Sequence, residues 1–236
     1  MATLTTRRRR SLWLAGALVA LGALAACSGG SDTPEADPDE VLADAKATLD
    51  DTSGVRIELT SSDLPEDVTG LIAAEGALTR APAFEGEIVV RAMGFEPRVP
   101  VVAVDAAVFA QLPLTQGWQK IDPGEYGAPD PAALIAADGG LSDLLIETTG
   151  VEAGESVRGG ADNTEVLTTY SGTVPADAIA TVFPSTSGEV EATYTITEDG
   201  ELRTAELTGD FYGSDAAITY TVTLDDYGLE QEISAP

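Results

Sequence analysis

Chemistry needs nucleophiles, bases or metal ligands, and this 236-residue chain carries few of them. It holds no histidine and a single cysteine, Cys27. Without histidine it lacks the usual general base, the commonest zinc ligand and any serine–histidine triad. It has no Asp-x-Asp-x-Asp-Gly calcium loop, no glycine-rich phosphate loop and no Gly-x-Ser-x-Gly elbow. Carboxylates are abundant, 40 against 12 Lys and Arg, so carboxylate-pair chemistry stays formally open. The residue types otherwise argue against an enzyme, and no cofactor or metal is expected. Cys27 stands apart because its neighbours define what its sulfur is for. It follows Leu24-Ala25-Ala26 at the end of an apolar run. Only a sulfur nucleophile at that position can form a thioether.

Arg7 to Arg10 make a positive n-region, and Ser11 to Leu24 an apolar stretch too short to span a bilayer comfortably. This is the layout of a secretory signal, and Leu24-Ala25-Ala26-Cys27 resembles a bacterial lipobox. In that pattern the chain is cut before the cysteine, whose thiol and new amino group are acylated. An ordinary signal peptide would leave Cys27 as a lone thiol in an oxidising compartment, where even cysteine counts and disulfides are the rule. Lipid attachment at Cys27 removes that liability. It places the protein on the outer face of the plasma membrane, since two or more acyl chains anchor stably. Arg9-Arg10-Ser11-Leu12-Trp13 also loosely resembles a twin-arginine export signal, so the general secretory and twin-arginine routes both stay open.

Residues 1–26 thus read as a signal peptide, 27–36 as a lipidated N-terminus with a flexible tether, and 37–236 as one folded domain. All 40 acidic residues and eight basic ones lie beyond residue 26, a formal charge of −32. Such a surface repels nucleic acid and anionic headgroups. With 44% apolar residues the acidity reflects a solvated surface over a core, not disorder.

Asp37-Pro38-Asp39-Glu40 has the spacing of a helix start, and Val41, Leu42, Ala45 and Leu49 recur on one face up to Ser53-Gly54. The period then changes to two. Val55, Ile57 and Leu59 alternate with Arg56, Glu58 and Thr60. Further strands are expected near 70–80, 84–92, 96–104 and 107–112, with a short one over 117–121. Residues 99–104 are apolar on both faces, so the strand is either covered on both sides or lines an apolar space. Pro100 points to an edge or a bulge. The middle of the chain carries three short helices, at Asp130-Pro131, around Leu141 to Leu145 and after Pro175; none is long enough to stand alone. Strands return at 190–196 and 216–224; Asp199-Gly200 is a hairpin turn after the first of them, and the broken phase of 202–208 marks a bulge.

Ten or so antiparallel strands with few short helices give an α+β domain. An open sheet that wide must curl. The expected architecture is a strongly curved antiparallel half-barrel with short helices on its concave face, enclosing an apolar cavity.

An ordered series of short stretches runs through the chain. It comprises the lipobox, Val99-Pro100-Val101-Val102-Ala103-Val104-Asp105 with Val108-Phe109-Ala110, Gly117-Trp118, Ile121-Asp122-Pro123 and Tyr126-Gly127-Ala128-Pro129-Asp130-Pro131. It continues through Gly139-Gly140-Leu141-Ser142 and Ser171-Gly172-Thr173-Val174-Pro175 to Leu224-Asp225-Asp226-Tyr227-Gly228. In this series the chain resembles the LppX/LprA/LprF/LprG family of mycobacterial and actinobacterial cell-envelope lipoproteins. The resemblance implies a half-barrel similar to the LolA/LolB carriers, with a cavity for the acyl chains of lipids or glycolipids. It also implies carriage from the plasma membrane toward the outer envelope, often with a membrane transporter. It does not pick the lipid.

Ile88, Val90, Val102, Val104, Phe109, Leu134, Leu141, Leu144 and Leu145 are the candidate cavity residues, being apolar on segments where sheet and helices should meet. Each could equally be plain core. Trp118 reads as a core anchor. A lipid carrier and a surface-anchored structural or interaction protein remain the two readings, and an internal apolar void separates them: large in a carrier, absent from a solidly packed structural protein.

Overall fold

The computed structural model describes residues 36–236 apart from 93, 127, 161 and 162. The signal segment, Cys27 and the tether up to residue 35 lie outside the described residues. At the start of the domain the Asp37 carboxylate accepts the Asp39 N–H at 3.1 Å, and Pro38 occupies the first turn, where no donor is needed. Helix α1 (Pro38–Asp51) follows and buries Leu42, Ala45 and Leu49.

Every strand then joins one antiparallel sheet. The strands are β1 (Gly54–Ser62), β2 (Gly70–Thr79), β3 (Ala83–Arg91), β4 (Arg98–Val104), β5 (Ala107–Ala110) and β6 (Gln119–Ile121). After the middle segment come β7 (Thr149–Gly159), β8 (Glu165–Val174), β9 (Ser187–Thr197), β10 (Leu202–Asp210) and β11 (Ile218–Asp225). Their spatial order is β6-β5-β4-β3-β2-β1-β11-β10-β9-β8-β7, and β6 does not pair with β7, so the sheet stays open. The two edge strands are consecutive in the chain. The segment linking them, 122–148, must therefore cross the sheet from one edge to the other. It carries two 3₁₀ turns, Pro123–Tyr126 and Pro131–Ile135, and helix α2 (Asp143–Glu147). Helix α3 (Ala176–Val182) packs beside α2 and on β9.

The period-two stretches place their apolar residues inside. Val55, Ile57 and Leu59 of β1, Val190, Ala192, Tyr194 and Ile196 of β9, and Ile218, Tyr220, Val222 and Leu224 of β11 are all buried. The expected bulge appears as a register shift between Leu202 and Thr204. Pro100 sits neither at an edge nor in a bulge. The ladder of β4 with β5 begins at Val101, so the missing N–H of Pro100 falls just past the end of β5, where its carbonyl still accepts the Gln111 N–H at 3.0 Å. The helix expected at Asp130-Pro131 is a 3₁₀ turn capped by the Asp130 carboxylate on Ala132 N–H. Trp118 is only half-buried and stands outside the core.

Two cations fasten the crossing segment. Arg80, in the β2–β3 turn, donates to the carbonyls of Leu49 (2.5 Å), Ile135 (2.9 Å) and Thr52 (3.3 Å). It thereby ties the end of α1 to the end of the second 3₁₀ turn. Lys46 on α1 reaches Asp143 (2.7 Å), Asp50 (2.8 Å) and the Ala137 carbonyl (2.9 Å). Burial opposes the Lys46 charge, but the hydrogen bonds to Asp143 and Asp50 outweigh it and hold its pKa above the ordinary lysine value. Residues 36–236 form one compact unit that holds the core and every described strand of the sheet, which is what a stretch needs to fold on its own.

Candidate functional site

The crossing segment fills the sheet's inner face unevenly. Over β8–β11 it offers α2, and α3 joins it; these helices send Leu144, Leu145, Ile179 and Val182 down to full burial. Thr148 and the buried Tyr194 hydroxyl lie 2.9 Å apart, and both point at the Leu144 carbonyl. Burial there pushes the Tyr194 hydroxyl up to about 12. Over β1–β6 the roof is instead Pro123, Ala128, Pro129, Pro131 and Leu134. Ala132 and Ile135 of the second turn are buried against the sheet, but the proline and alanine side chains around them carry too few atoms to fill the rest of the space. A cavity of about 210 Å³ remains beneath them.

Its floor is the inner face of β1–β6, including Leu59, Leu71, Ile88, Val90, Val99 and Val101. Ala92, Pro97, Leu112 and Pro113, from the loops after β3 and β5, also line it. The floor is bare where Gly76 and Gly86 face each other across β2 and β3. A Cβ at either would stand 2.6 Å from the Phe84 ring, so the ring lies flat on exposed backbone. A Cβ at either position would also stand closer still to the facing carbonyl, that of Glu85 for Gly76 and that of Glu75 for Gly86, so a substitution would disturb the β2–β3 pairing as well as the ring.

One side chain of this lining carries a polar atom, that of Tyr212, and its hydroxyl is already engaged. Leu71 N–H donates to Tyr212 Oη (2.9 Å), the Tyr212 and Tyr220 hydroxyls lie 2.6 Å apart, and Tyr220 Oη donates to the Leu71 carbonyl (3.0 Å). The four groups form a closed ring in which every donor is used. Leu71 needs these partners because β2 bulges at Ile72, beyond the end of its pairing with β1. Burial and the neighbouring Tyr212 push the Tyr220 hydroxyl far up, so it stays neutral. Gly70 gives Tyr212 room, since a Cβ there would meet its ring at 2.7 Å. Phe183, Phe211 and Tyr220 pack with centroids 4.9–5.9 Å apart and close the cavity toward the filled half of the sheet.

No charged side chain lines the cavity. It has no nucleophile, base or oxyanion donor to offer; it can only exchange apolar surface with a guest. A second depression, of about 230 Å³ between α2 and α3, is polar and lined by Asp143, Glu147 and Asp177. Asp143 is spent there on Lys46 and on Gly139 N–H (2.6 Å). Among the described residues no group of three His, Cys, Asp or Glu is arranged to hold a metal.

Of the residues singled out from sequence, Ile88, Val90 and Leu134 line the cavity. Val102, Val104 and Phe109 do not: Val102 pairs with Phe109 and Glu85, on the outer face of the sheet. Leu141, Leu144 and Leu145 are buried in the filled half and do not line the cavity either. Val99, Val101, Val108 and Ala110 take the places expected for their outward-facing neighbours. The signal that fixes this parity is Arg98, a charged residue in phase with Pro100, Val102 and Val104.

An open, curved antiparallel sheet roofed by proline-rich turns over an apolar cavity defines the class as a half-barrel with a hollow interior. The chain belongs to the LppX_LprAFG lipoprotein family, whose sequence profile matches residues 37–233. Its fold is that of LprF from Mycobacterium bovis (TM-score 0.68, 15% identity, 86% of this chain and 98% of that one). It is also that of the lipoprotein LppX from Mycobacterium tuberculosis (TM-score 0.60, 17% identity, 84% of this chain and 100% of that one). No curated protein sequence matches the chain.

Proposed function

We propose that this protein binds the acyl chains of lipids or glycolipids in the cavity over β1–β6 and carries them from the plasma membrane toward the outer envelope. Residues 1–26 are removed and Cys27 is acylated in this reading, which tethers the domain to the outer face of the plasma membrane through residues 28–36. A membrane lipid transporter fits the role of donor. The observation that carries the proposal is a void lined by apolar side chains with no free polar group. Acyl chains are recognised through area alone, at about 0.8 kcal/mol per buried methylene. A structural protein would have packed the hollow half as tightly as the filled one. At about 210 Å³ the void is smaller than the roughly 300–1,000 Å³ of typical ligand sites, so it encloses part of a chain unless the roof lifts.

The test is native mass spectrometry with lipid extraction on residues 36–236, for the wild type and for Ile88→Trp. The wild type should carry lipid, and the variant should lose it while melting at a similar temperature. A wild-type domain free of lipid after expression beside a lipid membrane, and unable to take up a fluorescent fatty acid, would overturn the carrier reading in favour of an interaction protein. For the anchor, the full chain with Cys27→Ala should leave the carbonate-washed membrane fraction; retention would refute acylation at Cys27.

A further inference from the structure

Two apolar side chains stand in water at one end of the sheet. Phe95 is 74% exposed and Leu114 fully so. Phe95 closes the β3–β4 hairpin, fixed by reciprocal backbone bonds with Ala92 (2.9 and 3.0 Å). Leu114 lies in the loop after β5. Because β4 pairs with both β3 and β5, and β4 begins where β5 ends, the two loops rise side by side from the same end. Ala92 and Pro97 at the base of the first loop, and Leu112 and Pro113 at the base of the second, line the cavity. The exposed tips therefore continue the cavity lining outward.

Leu114 carries a second penalty. It follows Pro113 in a turn closed by Thr115 N–H on the Leu112 carbonyl (3.2 Å), with φ +66°. That is the turn position which ordinarily demands Gly or Asn. A leucine held there is strained and exposed at once, and no contact within the domain compensates it. Charge is depleted at the same place. Residues 111–118 contain no charged side chain, in a domain whose 38 acidic and 8 basic residues give a formal charge of −30. In the first loop Glu96 is the one carboxylate near the tip, and Arg91 pairs with it at 2.9 Å. The next loops at the same end of the sheet, 63–69 and 211–217, keep the acidic character of the rest with Asp63, Glu66, Asp67 and Asp215, and Arg91 ties the first of them to the end of β3 through the Leu64 carbonyl (2.7 Å).

We propose that the Phe95 and Leu114 tips are a docking surface for a neutral lipid bilayer, these two loops entering the membrane while the acidic loops beside them stay in water. The inference rests on the carrier reading for its purpose. An acyl chain leaving the cavity passes directly over these tips, and a bilayer is the phase that keeps tips and chain apolar throughout.

The experiment floats residues 36–236 with phosphatidylcholine vesicles and with phosphatidylglycerol vesicles at low and high salt. Trp118 sits on the second loop and is the one tryptophan of this stretch. Its emission should shift to the blue and be quenched by brominated lipid. The double variant Phe95→Ser/Leu114→Asn should fold at least as well, since Asn tolerates the backbone of residue 114, and should bind vesicles more weakly by about tenfold or more. Anionic vesicles should bind less than neutral ones at low salt and gain on adding salt. A wild type that does not float, a double variant that floats equally, or binding confined to anionic vesicles would each overturn the proposal. The lipid load of the same samples is read separately: wild-type flotation without any cavity lipid would leave docking standing and remove the carrier function.

Discussion

At the residue scale, the Tyr212 ring depends on a carboxylate that never touches it. Asp210 accepts N–H bonds from Ser214 (2.9 Å), Asp215 (3.1 Å) and Tyr212 itself (3.2 Å), folding the β10–β11 loop that lays Tyr212 over Gly70. Desolvation works against the Asp210 charge, but these backbone donors outweigh it and hold its pKa below the ordinary 3.8. A depressed carboxylate stabilises the fold fully above 3.8 and loses that contribution as pH falls through its lower folded value. The loop should therefore loosen in acid, and Asp210→Asn should loosen it already at neutral pH. Amide exchange of residues 211–215 against pH reads both. A loop equally protected at pH 7 and well below 3.8 would show that the carboxylate does not organise it.

At the element scale, the roof is held at one end. Arg80 serves three carbonyls that end α1 and the second 3₁₀ turn. Arg80→Met keeps the stem but orphans all three, and should cost about 1–3 kcal/mol in denaturant melts. Exchange at 131–135 should quicken while β9 and β11 stay protected; uniform loss of protection would mean that Arg80 supports the whole fold and not the roof. This fastening was not readable in sequence, because an arginine in a turn looks like any solvated charge. What was readable shares one property, a pattern tied to a single buried face. Asp37-Pro38 announced α1, and the alternation of 190–196 and 216–224 announced β9 and β11, the latter beginning only at Ile218. Strands β7 and β8 were missed: β7 is an edge strand, exposed along nearly its whole length, and register shifts after Thr149 and after Ala153 break its phase. The parity of β4 was missed because Val102, although outside, is as buried as Val101. Apolarity alone cannot orient such a strand. The three lining residues that were found lie on β3, where Glu85, Glu87 and Arg91 mark the outer face, and on the roof turn, where Leu134 is the longest side chain of the roof.

At the scale of the whole molecule, one sheet is dense on one side of the Phe183–Phe211–Tyr220 cluster and hollow on the other. That asymmetry makes a prediction that needs no lipid. In the dense half every side chain has neighbours on all sides, so Leu145→Ala should cost about 2–5 kcal/mol, the transfer loss plus a new cavity. Val190→Trp there should overpack and cost about 1–3 kcal/mol or more. In the hollow half the cavity already exists, so Ile88→Ala loses transfer energy alone, about 1–2 kcal/mol. Val90→Trp should find room under the prolines and leave the melting temperature unchanged or higher. The four variants of residues 36–236, melted after delipidation, form a crossed comparison: truncation hurts more on one side, and enlargement is tolerated on the other. Equal penalties for Val90→Trp and Val190→Trp would mean that the roof settles onto the sheet in solution and that the void closes when empty. The cavity would then have to be opened by its guest, and uptake should slow as the roof is tied down more firmly.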